Sequence, residues 1–137
     1  MALVSSSRVI ELVSASKNPK LEIIKLIGDL STVDIKFNMV LLATYFRPEK
    51  TAGGIIRPDA NKAEDEWQGK VGLVMKLGKL AYEDDDETQF GDEKVSVGDW
   101  AVYKIGDTWS LNINGYPCRM IKDSSIKMTV KDPNMVF

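Results

Sequence analysis

Two groups of charged residues invite a reading as acid–base chemistry: Asp99 with Lys104, and the run Glu83-Asp84-Asp85-Asp86-Glu87. Paired carboxylates, or a carboxylate beside an amine, can serve as general acid and base when a nucleophile or a phosphate-binding loop accompanies them. Here nothing accompanies them. The sequence has no histidine, the commonest general base and metal ligand. Its one cysteine, Cys118, provides neither an internal disulfide nor a zinc cluster, and it reads as a small buried hydrophobe in a reducing compartment. Seven of the 20 acids fall within residues 83–93. They lack the alternating carboxylates, central glycine and terminal glutamate of a calcium loop, so the run reads as a solvated loop tip. No catalytic residue, metal or cofactor is expected.

Recognition chemistry is better supported. Residues 50–58 read Lys-Thr-Ala-Gly-Gly-Ile-Ile-Arg-Pro and lead into a polar, acidic run over 59–66. Gly53 and Gly54 allow left-handed backbone angles and make the segment flexible. Ile55 and Ile56 are too few to build an element, and an apolar hook on a polar loop is costly in water unless a surface receives it. The spacing predicts a docking loop whose partner is another protein. The alternative is a strand end folded back onto its own sheet.

The remaining composition narrows the class. A chain of 137 residues with 44% hydrophobic content suits one globular domain with a real core. No apolar run reaches the length of a membrane helix, and the first residues lack the pattern of a secretory signal, so a cytoplasmic location is expected. The net charge of −2 leaves no basic stripe for nucleic acid. Trp67, Trp100 and Trp109 therefore read as core or subunit-interface residues rather than a base-stacking platform.

The elements that must position the loop follow from the pattern. Asn18-Pro19 is a helix start, and Leu21, Ile24, Ile27 and Leu30 give one apolar face ending near Gly28. A strand is expected from Ile35 until Pro48 ends it, with Phe37, Met39, Leu41 and Ala43 on one face and both faces largely apolar. A second runs from Trp67 to Leu77, with Val71, Leu73 and Met75 together, and is broken by Gly78. Val95-x-Val97-Gly98-Asp99 reads as a strand end and tight turn. Strands carrying Trp100 and Val102, then Trp109, Leu111 and Ile113, follow, and Asn114-Gly115 predicts a hairpin. Met120-Ile121 and residues 126–130 complete a set of short strands, the signature of a small β-barrel. Residues 1–36 read as an N-terminal extension with a short helix, and residues 37–137 as the barrel domain.

This order of features resembles the GroES-like co-chaperonin family over about residues 37–131. Residues 50–56 stand where that family has its mobile loop. Gln68-Gly69-Lys70-Val71 resembles the start of the next strand and Leu77-Gly78 its end. Residues 83–93 fall at the roof hairpin. Val97-Gly98-Asp99 and the run Met120-Ile121-Lys122-Asp123-Ser124-Ser125-Ile126 resemble the closing elements. The resemblance implies a mainly β, GroES-like barrel forming a heptameric lid on a chaperonin ring, which binds the ATP. Gly53, Gly54, Ile55, Ile56 and Arg57 would be the partner-binding residues, with Glu83, Asp84, Asp85, Asp86 and Glu87 in a roof loosened by mutual repulsion.

Two departures bear on function. The family loop carries three consecutive apolar residues, whereas the third position here is Arg57, whose stem covers apolar surface but whose charge prefers water. The extension over residues 1–36 and the long acidic loop resemble diverged, bacteriophage-type members, acting in the host cytoplasm. The alternative is a virion structural protein that reuses the barrel and contacts other virion proteins.

Overall fold

The computed structural model describes residues 12–13, 16–46, 70–86 and 88–136. Helix α1 (Pro19–Ile27) starts as its sequence requires: the Asn18 side chain accepts from the Leu21 N–H at 3.3 Å and Pro19 occupies the first turn. It stops at Gly28, whose N–H closes the last helical bond to the Ile24 carbonyl and whose φ of +80° turns the chain out of the helix. The buried face differs from the expected one. Ile23 and Ile27 are fully buried, while Leu21 and Ile24 are 62% and 45% exposed. Residues three apart drift by about 60° per step around a helix of 3.6 residues per turn, whereas residues four apart stay nearly aligned. The row from Leu21 to Leu30 thus starts in solvent and reaches the core only at Ile27 and Leu30, while Ile23 takes the place expected for Leu21 and Ile24. Replacing Asn18 with alanine is expected to cost about 1 kcal/mol, read as a lower midpoint in urea unfolding.

Among the described residues six strands form one antiparallel sheet in the order β4-β5-β1-β2-β3-β6. They are β1 (Met39–Thr44), β2 (Val71–Leu77), β3 (Trp100–Val102), β4 (Thr108–Ile113), β5 (Tyr116–Lys122) and β6 (Met128–Val130). The fold is mainly β, as a GroES-like barrel requires, and the described strands form an open sheet with β4 and β6 at its edges.

β1 lies between β2 and β5 and is covered on both sides, which is why its sequence lacks alternation. Leu41 and Ala43 join Ile23, Ile27, Leu73 and Tyr116 in one buried cluster. Val40 and Leu42 join Val74, Tyr82, Tyr103 and Ile121 in the other. Met75 packs on the first cluster with Val71 and Leu73, the face expected for β2.

The first strand begins later than expected. Phe37 lies in a turn with φ of +56° and is 71% exposed. Gly78 explains this. The Phe37 carbonyl sits where a side chain at Gly78 would begin, 2.2 Å from an ideal Cβ, and it accepts the Leu80 N–H at 3.0 Å. The backbone must turn at Phe37 to make that approach.

Two long-range ties hold the segment around α1 to the sheet. Asn114, with φ of +51° beside Gly115 at +81°, forms the predicted β4–β5 hairpin turn. Its side-chain amide also donates to the Ile27 carbonyl at 2.6 Å, satisfying the end of α1. Lys76 on β2 donates to the carbonyls of Leu30 and Val33. Trp100 is buried against Tyr45 in an edge-on contact at 5.1 Å, whereas Trp109 on edge strand β4 is 57% exposed.

Candidate functional site

The predicted docking residues Gly53, Gly54, Ile55, Ile56 and Arg57 lie outside the described residues, as do Trp67 and Glu87. Their stem is well defined. β1 and β2 pair as far as Thr44 opposite Gly72, and the Tyr45 N–H then donates to the Val71 carbonyl at 3.1 Å. The Tyr103 N–H donates to the Lys70 carbonyl at 2.8 Å. Phe46 is buried against Tyr116, ring centroids 6.1 Å apart, and the Tyr116 hydroxyl donates to the Thr44 carbonyl at 2.6 Å. Burial holds the Tyr116 phenol well above its ordinary pKa, so it remains a donor throughout the physiological range. The chain therefore leaves the sheet at Phe46 and returns at Lys70 from a rigid, hydrogen-bonded end.

The acidic loop leaves the opposite end. β2 finishes at Leu77 beside Val40, and the Gly78 N–H donates to the Met39 carbonyl at 2.8 Å. A seven-residue strand rises about 20 Å, which separates the two loop systems by the length of the sheet.

Glu83, Asp84, Asp85 and Asp86 are exposed, yet two of them organise their own loop. Asp84 Oδ1 accepts the N–H groups of Phe90 at 2.6 Å and Gly91 at 3.3 Å. Asp85 Oδ1 accepts the Thr88 N–H at 2.7 Å, while the Asp85 N–H donates back to the Thr88 carbonyl at 2.9 Å. Within the chain the acidic loop is thus tied at these two acids, bonds that are separate from the repulsion expected between subunits. Among the described residues no cluster of three His, Cys, Asp or Glu is placed to hold a metal ion.

The Phe90 N–H holds the Asp84 carboxyl below the usual range, and the Gly91 N–H adds to it. A carboxylate with a depressed pKa supports the folded loop above its unfolded pKa and loses that support as pH falls through the lowered value. The amide signals of Phe90 and Gly91 should therefore stay native through the range in which an ordinary aspartate protonates, about pH 4, and shift only in more acid solution.

Sequence reasoning missed the anchor of this end. Asp123 had the appearance of one polar residue in a turn; it is 3% exposed. Its carboxylate accepts the Tyr82 N–H at 2.9 Å, the Ser124 N–H at 2.7 Å and the Asn38 amide at 3.4 Å. Its backbone carbonyl takes the Tyr82 hydroxyl at 2.9 Å. Tyr82, held at φ of +61°, in turn meets Phe90 edge-on at 5.0 Å. The Asp123–Tyr82–Phe90 chain fastens the acidic loop to the sheet. The only available signal was an aspartate at the end of an apolar strand, which many exposed turns share.

Asp99 and Lys104 are not brought together as an acid–base pair. Asp99 shapes the turn after Val95: its carboxylate accepts the Ser96 N–H at 2.9 Å, with Gly98 at φ of +95°. Lys104 is exposed beside a 3₁₀ turn, Ile105–Asp107. Among the described residues no helix is long and apolar enough to cross a membrane.

No curated protein matches the chain. Residues 35–130 match the family described as the chaperonin 10 kDa subunit, a span that includes all six strands, the loop stem and the acidic loop. The glycine that the Phe37 carbonyl requires, the Val-Gly-Asp turn paired to β2 and the late Asp123 turn all fall inside it. On that match over most of its length, the chain belongs to the chaperonin 10 kDa subunit family, the GroES-like co-chaperonins.

Proposed function

We propose that this co-chaperonin assembles as a heptameric dome and caps a chaperonin ring through residues 53–57. Ile55 and Ile56 are the anchors. Arg57 adds apolar stem but keeps its charge at the edge of the contact. Gly53 and Gly54 lose more conformational freedom than other residues when held in one shape, so docking costs entropy and keeps affinity reversible, as a lid that must leave each cycle requires. ATP hydrolysis belongs to the ring; members of the family are co-chaperones, not enzymes. The lid works in the cytoplasm, that of the host if a bacteriophage encodes it.

The observation that carries this reading is the separation of the two loop systems. The docking segment joins one end of the β1–β2 pair and the acidic loop joins the other. A cap needs that polarity, with its ring contacts at the base and its opening at the top.

The second reading is a virion structural protein on the same fold, favoured by Arg57 and by the segment preceding β1. Part of that segment has a role within its own chain, because α1 buries Ile23 and Ile27 in the core shared with β1.

One experiment separates the readings. The protein is mixed with a chaperonin ring and ATP, particles are imaged, and the signals of residues 53–57 are followed by NMR. The lid reading expects a seven-fold cap and sharp loop signals that broaden only when the ring is present. Loop signals already rigid in the free protein, or incorporation into a capsid or tail without ring binding, would sink it.

A further inference from the structure

Two consecutive aromatic residues, Tyr45 and Phe46, follow β1 at the end from which the docking segment leaves. Tyr45 continues the face of Leu41 and Ala43, and all three join one buried cluster. A strand would send the next side chain to the opposite face. Phe46 joins the same cluster instead, 1% exposed, so the backbone has already turned out of the sheet there. Much of what holds that turn lies outside residues 35–130, the span that matches the family.

Two segments meet at this point. Helix α1 contributes Ile23 and Ile27 to the cluster that holds Phe46, and its Lys20 ammonium lies 5.9 Å from the centre of the Trp100 ring. Trp100 in turn meets Tyr45 edge-on. From the other side comes the 3₁₀ turn Pro133–Met135, capped by the Asp132 carboxylate, which accepts the Asn134 N–H at 3.0 Å. The Asn134 side-chain oxygen accepts the Tyr45 hydroxyl. The two segments face each other across a cleft over Trp100, with Pro19 and Lys20 on one side and Pro133 and Asn134 on the other. Tyr45 is thus held by its N–H to Val71, by its ring to Trp100 and by its hydroxyl to Asn134, and these contacts leave its backbone little freedom.

We propose that α1 and the 3₁₀ turn Pro133–Met135 form a brace that fixes the direction in which the docking segment leaves the sheet, with Tyr45 as its positioning residue. This role rests on the docking reading of residues 53–57. A fixed stem lowers the conformational entropy lost when the segment seats on a partner, so the brace tightens docking without touching the partner.

The test uses the full chain, amide hydrogen exchange, and capture by an ATP-loaded chaperonin ring. Tyr45→Phe keeps the ring against Trp100 and removes the hydroxyl, Asn134→Ala removes its acceptor, and Asn134→Asp keeps an acceptor in place. Without chaperonin, the Tyr45 and Tyr103 amides that close the stem should exchange about fivefold faster in Tyr45→Phe and Asn134→Ala, and at the native rate in Asn134→Asp. The Gly78 amide at the far end of the sheet should not change, which a general loss of stability would not allow. Ring capture should weaken about fivefold or more in the first two variants, since the loss recurs at each subunit, and recover in Asn134→Asp. Lys20→Ala should act in the same sense, about twofold. Equal acceleration at Gly78, or none at the stem, would overturn the brace, and no response to Lys20→Ala would remove α1 from it. Faster stem exchange with native ring capture would overturn the positioning role. A ring that fails to capture even the unaltered protein would overturn the docking reading and the positioning role with it, while exchange at the stem would still decide the brace.

Discussion

Gly78→Ala is expected to abolish a stable fold. An ideal Cβ at this position would stand 2.2 Å from the Phe37 carbonyl oxygen, 2.9 Å from that of Lys36 and 3.0 Å from that of Met39. All three are backbone atoms, so no rotamer change relieves the contact. Making room would move the start of β1 and break the bonds of Gly78 to Met39 and of Leu80 to Phe37. Displacing two turns and the first pairs of the central strand puts the cost at roughly 5 kcal/mol or more, comparable to the whole stability of a small domain. Gly98 provides the control. It has φ of +95° but open space around it, so alanine there meets only backbone strain, about 1 kcal/mol. Urea unfolding of the two variants side by side should show a modest shift for Gly98→Ala and little or no folded protein for Gly78→Ala. Equal shifts would mean that the Gly78 contact relaxes.

The second large effect concerns docking. Ile55→Ser with Ile56→Ser should eliminate the capped chaperonin while leaving the unfolding midpoint unchanged. Each isoleucine side chain is worth roughly 1.5–3 kcal/mol when fully buried against a partner. The loss recurs at each subunit of an oligomer and is compounded by avidity, so partial binding is not expected to survive. Arg57→Leu should act in the opposite direction, tightening the complex by completing an apolar triplet. Pull-down on an ATP-loaded ring, with thermal unfolding as the folding control, measures both. A double-serine variant that still caps the ring would remove Ile55 and Ile56 from the interface.

What could be read in advance was what depends on neighbours in sequence. Asn18-Pro19 begins a helix and Asn114-Gly115 turns a hairpin because each needs only its own backbone geometry. The two-sided burial of β1 was legible because five of its six residues, all but Thr44, are apolar. Errors appear where a distant residue decides. Phe37 looks like a strand residue until Gly78, far along the chain, draws its carbonyl into a turn. Leu21 and Ile24 look buried because the spacing of three is regular, but the sheet meets the Ile23–Ile27 side. The local bonds of Asp84 and Asp85 were not legible, because a string of acids does not reveal which backbone N–H groups will face it. The importance of Asp123 was likewise invisible, since Tyr82 and Asn38 reach it from elsewhere in the chain.

Cys118 lies on β5 opposite Ala43, 1% exposed, and burial pushes its thiol up to about 12. While β5 stays paired to β1, almost no thiolate is present to react with an alkylating reagent. Labelling must wait for β5 to peel away from β1, which makes this sulfur a built-in clock for opening of the sheet centre. Timing that clock before and after ring capture would reveal whether gripping the loop stem stiffens the body of the subunit or leaves it as loose as before.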